Sequence, residues 1–81
     1  MARHEQIQDY VENAVKEGRT ERFYANTITW MFVTEADGWV SMFRWYEDGW
    51  HVTTQALNRD KASELAWKTE PVSVPMSPLI W

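Results

Sequence analysis

The dipeptides Asp37-Gly38 and Asp48-Gly49 constrain this chain more than anything else in it, because each falls between runs of β-branched and aromatic residues. A type I′ turn needs positive φ, which glycine adopts without steric cost, so Asp-Gly in that setting is a strong local signal for an antiparallel hairpin. Two in succession predict a three-stranded meander. Between Phe23 and Thr54 the residue types change to Ile, Val, Thr, Phe, Tyr and Trp, which suit a pleated and half-buried surface. The strands are expected near residues 23–35, 39–46 and 50–55.

Helical patterns flank this region. Ile7, Tyr10, Val11, Ala14 and Val15 follow the i, i+3, i+4, i+7, i+8 spacing of a single apolar stripe, which predicts a helix over residues 3–17 with Gly18 as its C′ residue. A shorter helix is expected over residues 60–68, N-capped by Asn58 or Asp60, with Ala62, Leu65 and Ala66 facing inward. All three prolines follow Glu70, so the tail is expected to be extended or polyproline-like. Its apolar end, Leu79, Ile80 and Trp81, suggests a segment docked in cis or exchanged with a partner. The expected fold is therefore α+β in the order α-β-β-β-α: a single compact domain over residues 1–69, its first helix packed on the meander, and an apolar tail over residues 70–81.

A chain of 81 residues has little core to work with, since a domain of this size buries only about 60% of the surface its unfolded form exposes. Apolar residues at 44% and six tryptophans make that core feasible. The lack of cysteine excludes a disulfide scaffold, a cysteine-ligated zinc site and a thiol nucleophile. No apolar run approaches the roughly 20 residues of a membrane span and no apolar signal segment stands at the amino terminus, so a soluble, cytoplasmic protein without membrane contact is expected. Eight basic residues against twelve acidic ones give a net charge of −4, spread evenly, which disfavours a nucleic-acid backbone as partner.

Hairpin register assigns the faces. A two-residue loop at Asp37-Gly38 pairs Ala36 with Trp39, Phe32 with Phe43 and Trp30 with Trp45, and a four-residue loop starting at Glu35 keeps the same parity. A two-residue loop at Asp48-Gly49 pairs Glu47 with Trp50 and Trp45 with Val52. One face then carries Ile28, Trp30, Phe32, Trp39, Phe43, Trp45, Trp50 and Val52, the expected core beneath the first helix. The reverse face carries Met31, Val33, Val40, Met42, Arg44, Tyr46, His51 and Thr53, which is too apolar for a sheet face open to water. Its cover would be the tail or second helix, a second copy of the chain, or a different macromolecule. Met31, Val33, Val40, Met42, Arg44, Tyr46 and His51 are accordingly the candidate partner-binding residues.

Signals for chemistry are sparse. His4 and His51 are the only imidazoles and neither has a ligand at motif spacing, so no metal site is expected. Asp48, His51 and Thr53 are close in sequence, but on a strand His51 and Thr53 would stand about 6 to 7 Å apart at Cα with no oxyanion-hole motif nearby. Glu35, Asp37, Glu47 and Asp48 are expected to be solvated charges at hairpin ends. The three glycines are isolated, so no phosphate-binding loop, cofactor or small-molecule substrate is indicated.

The order α-β-β-β-α resembles that of double-stranded-RNA-binding domains, and Arg59 and Lys61 fall where that family carries basic residues on its second helix. The resemblance is one of element order, and RNA binding is not implied by it. It departs from the family at Asp60, which interrupts the basic cluster, and at the loop from Glu35 to Gly38, which has neither His nor Lys. Arg44 between Phe43 and Trp45 also suits base contact, although from Ile28 to Gln55 it faces four acids as the sole Lys or Arg. The function expected is non-catalytic protein binding, in the manner of the small acidic inhibitors and regulators by which phages and mobile elements act on host proteins. The alternatives are a nucleic-acid-binding domain using the sheet or second helix, and a self-associating structural protein that forms a homodimer.

Overall fold

The first expected strand is two strands. Asn26 and Thr27 both hold positive φ, 57° and 63°, which is the type I′ geometry that reverses the chain within two residues. The computed structural model describes residues 3–70, in the order α1 (Arg3–Lys16), β1 (Thr20–Ala25), β2 (Ile28–Thr34), β3 (Val40–Tyr46), β4 (Gly49–Ala56) and α2 (Arg59–Lys68). The sheet is an antiparallel meander, β1-β2-β3-β4. The fold is thus α+β, with four strands in place of three. From residue 71 onward the expected tail lies outside the described residues.

The hairpin between β2 and β3 changes the expected register. Gly38 N–H donates to Glu35 O and Glu35 N–H donates to Trp39 O, with Gly38 at φ 94°, so the loop is a type I turn followed by a left-handed glycine. This loop is one residue longer than Asp37-Gly38 alone. It pairs Thr34 with Val40, Phe32 with Met42, Met31 with Phe43 and Trp30 with Arg44. A one-residue slip turns every side chain of one strand to the other face, so the expected pairs Phe32 with Phe43 and Trp30 with Trp45 do not form.

Between β3 and β4 the two loop residues are Glu47 and Asp48, with Tyr46 opposite Gly49 and Trp45 opposite Trp50. Glu47 supplies the positive φ, 57°, where glycine was expected to do so. An irregularity between Met42 and Phe43 then moves the register, so that Phe43 faces Val52 while Met42 faces Thr54. Thr53 donates its hydroxyl to Met42 O at 2.9 Å across this step.

Each helix covers one face. Val11 and Ala14 of α1 join Met31, Val33, Phe43 and Trp50, with Ile7 and Val52 at the margin. Ala62 and Ala66 of α2 join Ile28, Trp30, Phe32, Val40, Met42 and Ala56, with Phe23 and Leu65 alongside. The two alanines let α2 approach closely enough to seal Trp30, Phe32 and Met42, and each such fully buried side chain contributes about 1.5 to 3 kcal/mol. The face expected to need a cover is therefore divided between the chain's own helices, the second helix being one of the covers expected. Trp39 and Trp45, expected in the core, are 40% and 49% exposed.

Helix ends follow the sequence closely. Gly18 at φ 74° ends α1 in a Schellman motif, Arg19 N–H donating to Ala14 O and Gly18 N–H to Val15 O. Asn58 caps α2 by accepting Lys61 N–H at 2.9 Å. At the β4 edge the Gln8 side chain brackets one residue, donating to Trp50 O at 2.8 Å and accepting Trp50 N–H at 3.0 Å. A Cβ on Gly49 would lie 2.7 Å from Gln8 Oε1 and 2.9 Å from His4 Cε1, so this contact depends on glycine.

Thr27 is β-branched and strained at positive φ. Thr27→Gly creates the favoured Asn-Gly turn and is expected to stabilise the fold by about 1 kcal/mol, read as a higher urea midpoint with an unchanged slope.

Candidate functional site

The seven residues expected on one binding face are not on one face. Met31 (5% exposed) and Val33 (0%) lie beneath α1, while Val40 (2%) and Met42 (1%) lie beneath α2. Arg44 sits opposite Trp30 and His51 opposite Arg44, so they belong to the α2 side by register. Arg44 Nε and Trp30 Nε1 are buried and have no acceptor among the described residues. Tyr46 meets His51 edge-on at 5.8 Å between ring centroids.

One exposed aromatic surface lies on the α1 side, where the helix leaves part of the sheet uncovered; Trp67 of α2 is separately 58% exposed. Tyr24 pairs with Thr29, on the same face as Met31 and Phe43, and Trp45 follows Phe43 by strand alternation. Tyr24 is 66% exposed. Trp45 stands edge-on to Trp50 at 5.1 Å, and the Arg22 guanidinium lies 5.7 Å from the centroid of Trp50. Arg22, Thr29, Trp45 and Trp50 line a cleft of about 240 Å³. Among the described residues Arg22 forms no ion pair.

This cleft adjoins a sheet edge. β1 ends the strand order, and Thr34 N–H donating to Arg19 O fixes the phase of its antiparallel ladder. By the alternation of bonded and non-bonded pairs, Thr20, Arg22 and Tyr24 turn their backbone N–H and C=O away from β2. At the opposite edge, by contrast, Gln8 occupies the outward groups of Trp50.

Glu35 is no solvated hairpin charge. It accepts the Tyr10 hydroxyl at 2.5 and 2.6 Å and the Ser41 hydroxyl at 2.6 Å, and Gln55 donates to Ser41 Oγ at 3.0 Å. Arg19 donates to Thr34 O at 2.5 Å and stands 3.6 Å from Glu35 Oε1. The knot ties α1 to the β2–β3 hairpin. Burial, and then the hydrogen bond to Glu35, push the Tyr10 phenol above its usual range.

The basic residues of α2 are engaged too. Arg59 grips Glu21 through Nε at 2.9 Å and Nη2 at 2.6 Å and lies 5.0 Å from the Phe23 centroid. Lys61 and Lys68 reach Glu64 at 3.4 and 2.9 Å. Hydrogen bonds from Arg59 and from Lys68 and Lys61 hold Glu21 and Glu64 below the usual carboxylate range. The fourth strand breaks the order shared with double-stranded-RNA-binding domains, and the two residues at that family's basic positions, Arg59 and Lys61, already pair with acids.

One further cluster joins parts of the chain distant in sequence. His4, Asp48 and His51 bring potential ligand atoms within 4.8 Å of one another. Spacing along the sequence gives no sign of it, because it arises from where the first turn of α1 docks on the β3–β4 hairpin. The chain matches no family model, no curated protein and no solved structure.

The Tyr10 shift carries a pH dependence. Because folding favours the neutral phenol, its contribution is fully present below the ordinary tyrosine value of about 10 and is lost as pH rises through the raised value. Tyr10→Phe should therefore lower stability near neutral pH by about 1 kcal/mol and lose less of what remains above pH 10, as read from denaturation midpoints across the alkaline range.

Proposed function

We propose that the protein is a non-catalytic protein-binding module that takes an extended segment of its partner along the β1 edge. The observation that carries this reading is the outward backbone row of Thr20, Arg22 and Tyr24 beside the exposed rings of Tyr24 and Trp45. An added strand gains affinity from main-chain hydrogen bonds and specificity from side-chain pockets. Here the cleft over Trp50 accepts an apolar or aromatic side chain and Arg22 accepts a carboxylate. Tyr, Trp and Arg are the types that dominate binding energy at protein interfaces. Occupying a partner's strand-forming segment suits an inhibitor or regulator, the role favoured by the chain's small size and acidity.

The test uses the full-length chain as bait, with backbone amide exchange read on the captured complex. Slowed exchange at Arg22 and Tyr24, together with loss of capture in Trp45→Ala and Arg22→Glu but not in the exposed control Leu57→Ala, is the expected result. Capture that survives both cleft substitutions would contradict the proposal. A concentration-dependent dimer abolished by the same substitutions would contradict it as well, by making a second copy the occupant.

A further inference from the structure

Asp48 stands between two imidazoles. Its Oδ2 is 4.0 Å from His4 Nε2 and its Oδ1 is 3.9 Å from His51 Nε2, too far in both cases for direct hydrogen bonds. The imidazole centroids lie 5.9 Å apart with the rings inclined at 47°, so the rings are not stacked on one another. From this arrangement we infer that His4, Asp48 and His51 form a binding site for a divalent transition-metal ion of the zinc class.

The chemistry of the donor set selects the ion. Two imidazoles and one carboxylate suit Zn²⁺ and its neighbours, whereas Mg²⁺ and Ca²⁺ favour sites built from oxygen. Metal–ligand bonds of about 2.0 to 2.1 Å in a tetrahedral site place ligand atoms about 3.3 Å apart. The present separations of up to 4.8 Å must therefore contract by about an ångström or more. The side chains of Asp48 and His4 are 76% and 38% exposed, which leaves both room to rotate toward the less exposed His51. Three protein ligands leave a fourth position open, the pattern of zinc sites that also take water or an external ligand.

The surroundings hold the ligands on rigid elements. His51 is fixed on β4 and His4 in the first turn of α1, and the two elements meet where Gly49 lets His4 and Gln8 approach. Gln8 locks that approach through both backbone groups of Trp50. A bound ion would staple the first turn of α1 to the β3–β4 hairpin, on the β4 side of the sheet and thus apart from the β1 edge. The inference does not depend on the proposed protein-binding function.

The full-length protein, first stripped with a chelator, is titrated with ZnCl2 by calorimetry while imidazole resonances are followed by NMR. The expected result is one ion per chain, with the resonances of both His4 and His51 shifted. Each of His4→Gln, Asp48→Asn and His51→Gln should weaken binding by at least about tenfold, whereas Glu47→Gln in the same turn should not. Metal-free amide spectra establish that each variant is folded. Absence of binding at millimolar zinc, a shift confined to one imidazole, or undiminished affinity in a folded variant would overturn the inference.

Discussion

The structure depends on the register between β2 and β3. The Glu35–Gly38 turn with its left-handed glycine adds one residue to the loop, and that residue sets Phe32 beside Met42 and Met31 beside Phe43. Trp30, Phe32 and Met42 thereby share one apolar face, and Met31, Val33 and Phe43 the other. A sheet of this kind has to be covered twice, and α1 and α2 each bury one cluster. The Glu35 carboxylate reinforces the same hairpin by holding Tyr10 of α1 and Ser41 of β3.

What remains exposed follows from how far α1 reaches. The helix seals Met31, Val33 and Phe43 and leaves Tyr24 and Trp45 outside. An open edge and an aromatic cleft thus arise on adjacent parts of one surface, while the β4 edge is occupied by Gln8 and the α2 cations are matched with acids. The proposed binding along β1 would use the part of the sheet whose outward backbone groups the fold has not already engaged. The His4, Asp48 and His51 cluster lies at the other edge, where metal would act on the docking of α1.

Both helices were legible in the sequence because their signals are local: a stripe of apolar spacing, Gly18 after the first helix and Asn58 before the second. The antiparallel sheet was legible for the same reason, from β-branched and aromatic runs broken by Asp-Gly. Its strand count was not, since Thr27 at positive φ is the kind of turn residue that composition argues against. Register was illegible too, because Asp37-Gly38 fits a two-residue loop and a three-residue loop equally and the two assign opposite faces. That single ambiguity moved Met42 into the core and Trp45 out of it. Surface residues such as Tyr24 and Trp45, and the meeting of His4 with His51, depend on helix docking, which no short-range pattern encodes.

Hα–Hα nuclear Overhauser effects across β2 and β3 test the account most directly. With Glu35 and Trp39 as a hydrogen-bonded pair, the non-hydrogen-bonded pairs include Phe32 with Met42 and Trp30 with Arg44, whose Cα atoms approach to about 4.5 Å. Strong Hα–Hα effects at those two pairs are predicted. Effects that instead link Phe32 with Phe43 and Trp30 with Trp45 would contradict the register, and with it the two-sided core and the exposed cleft.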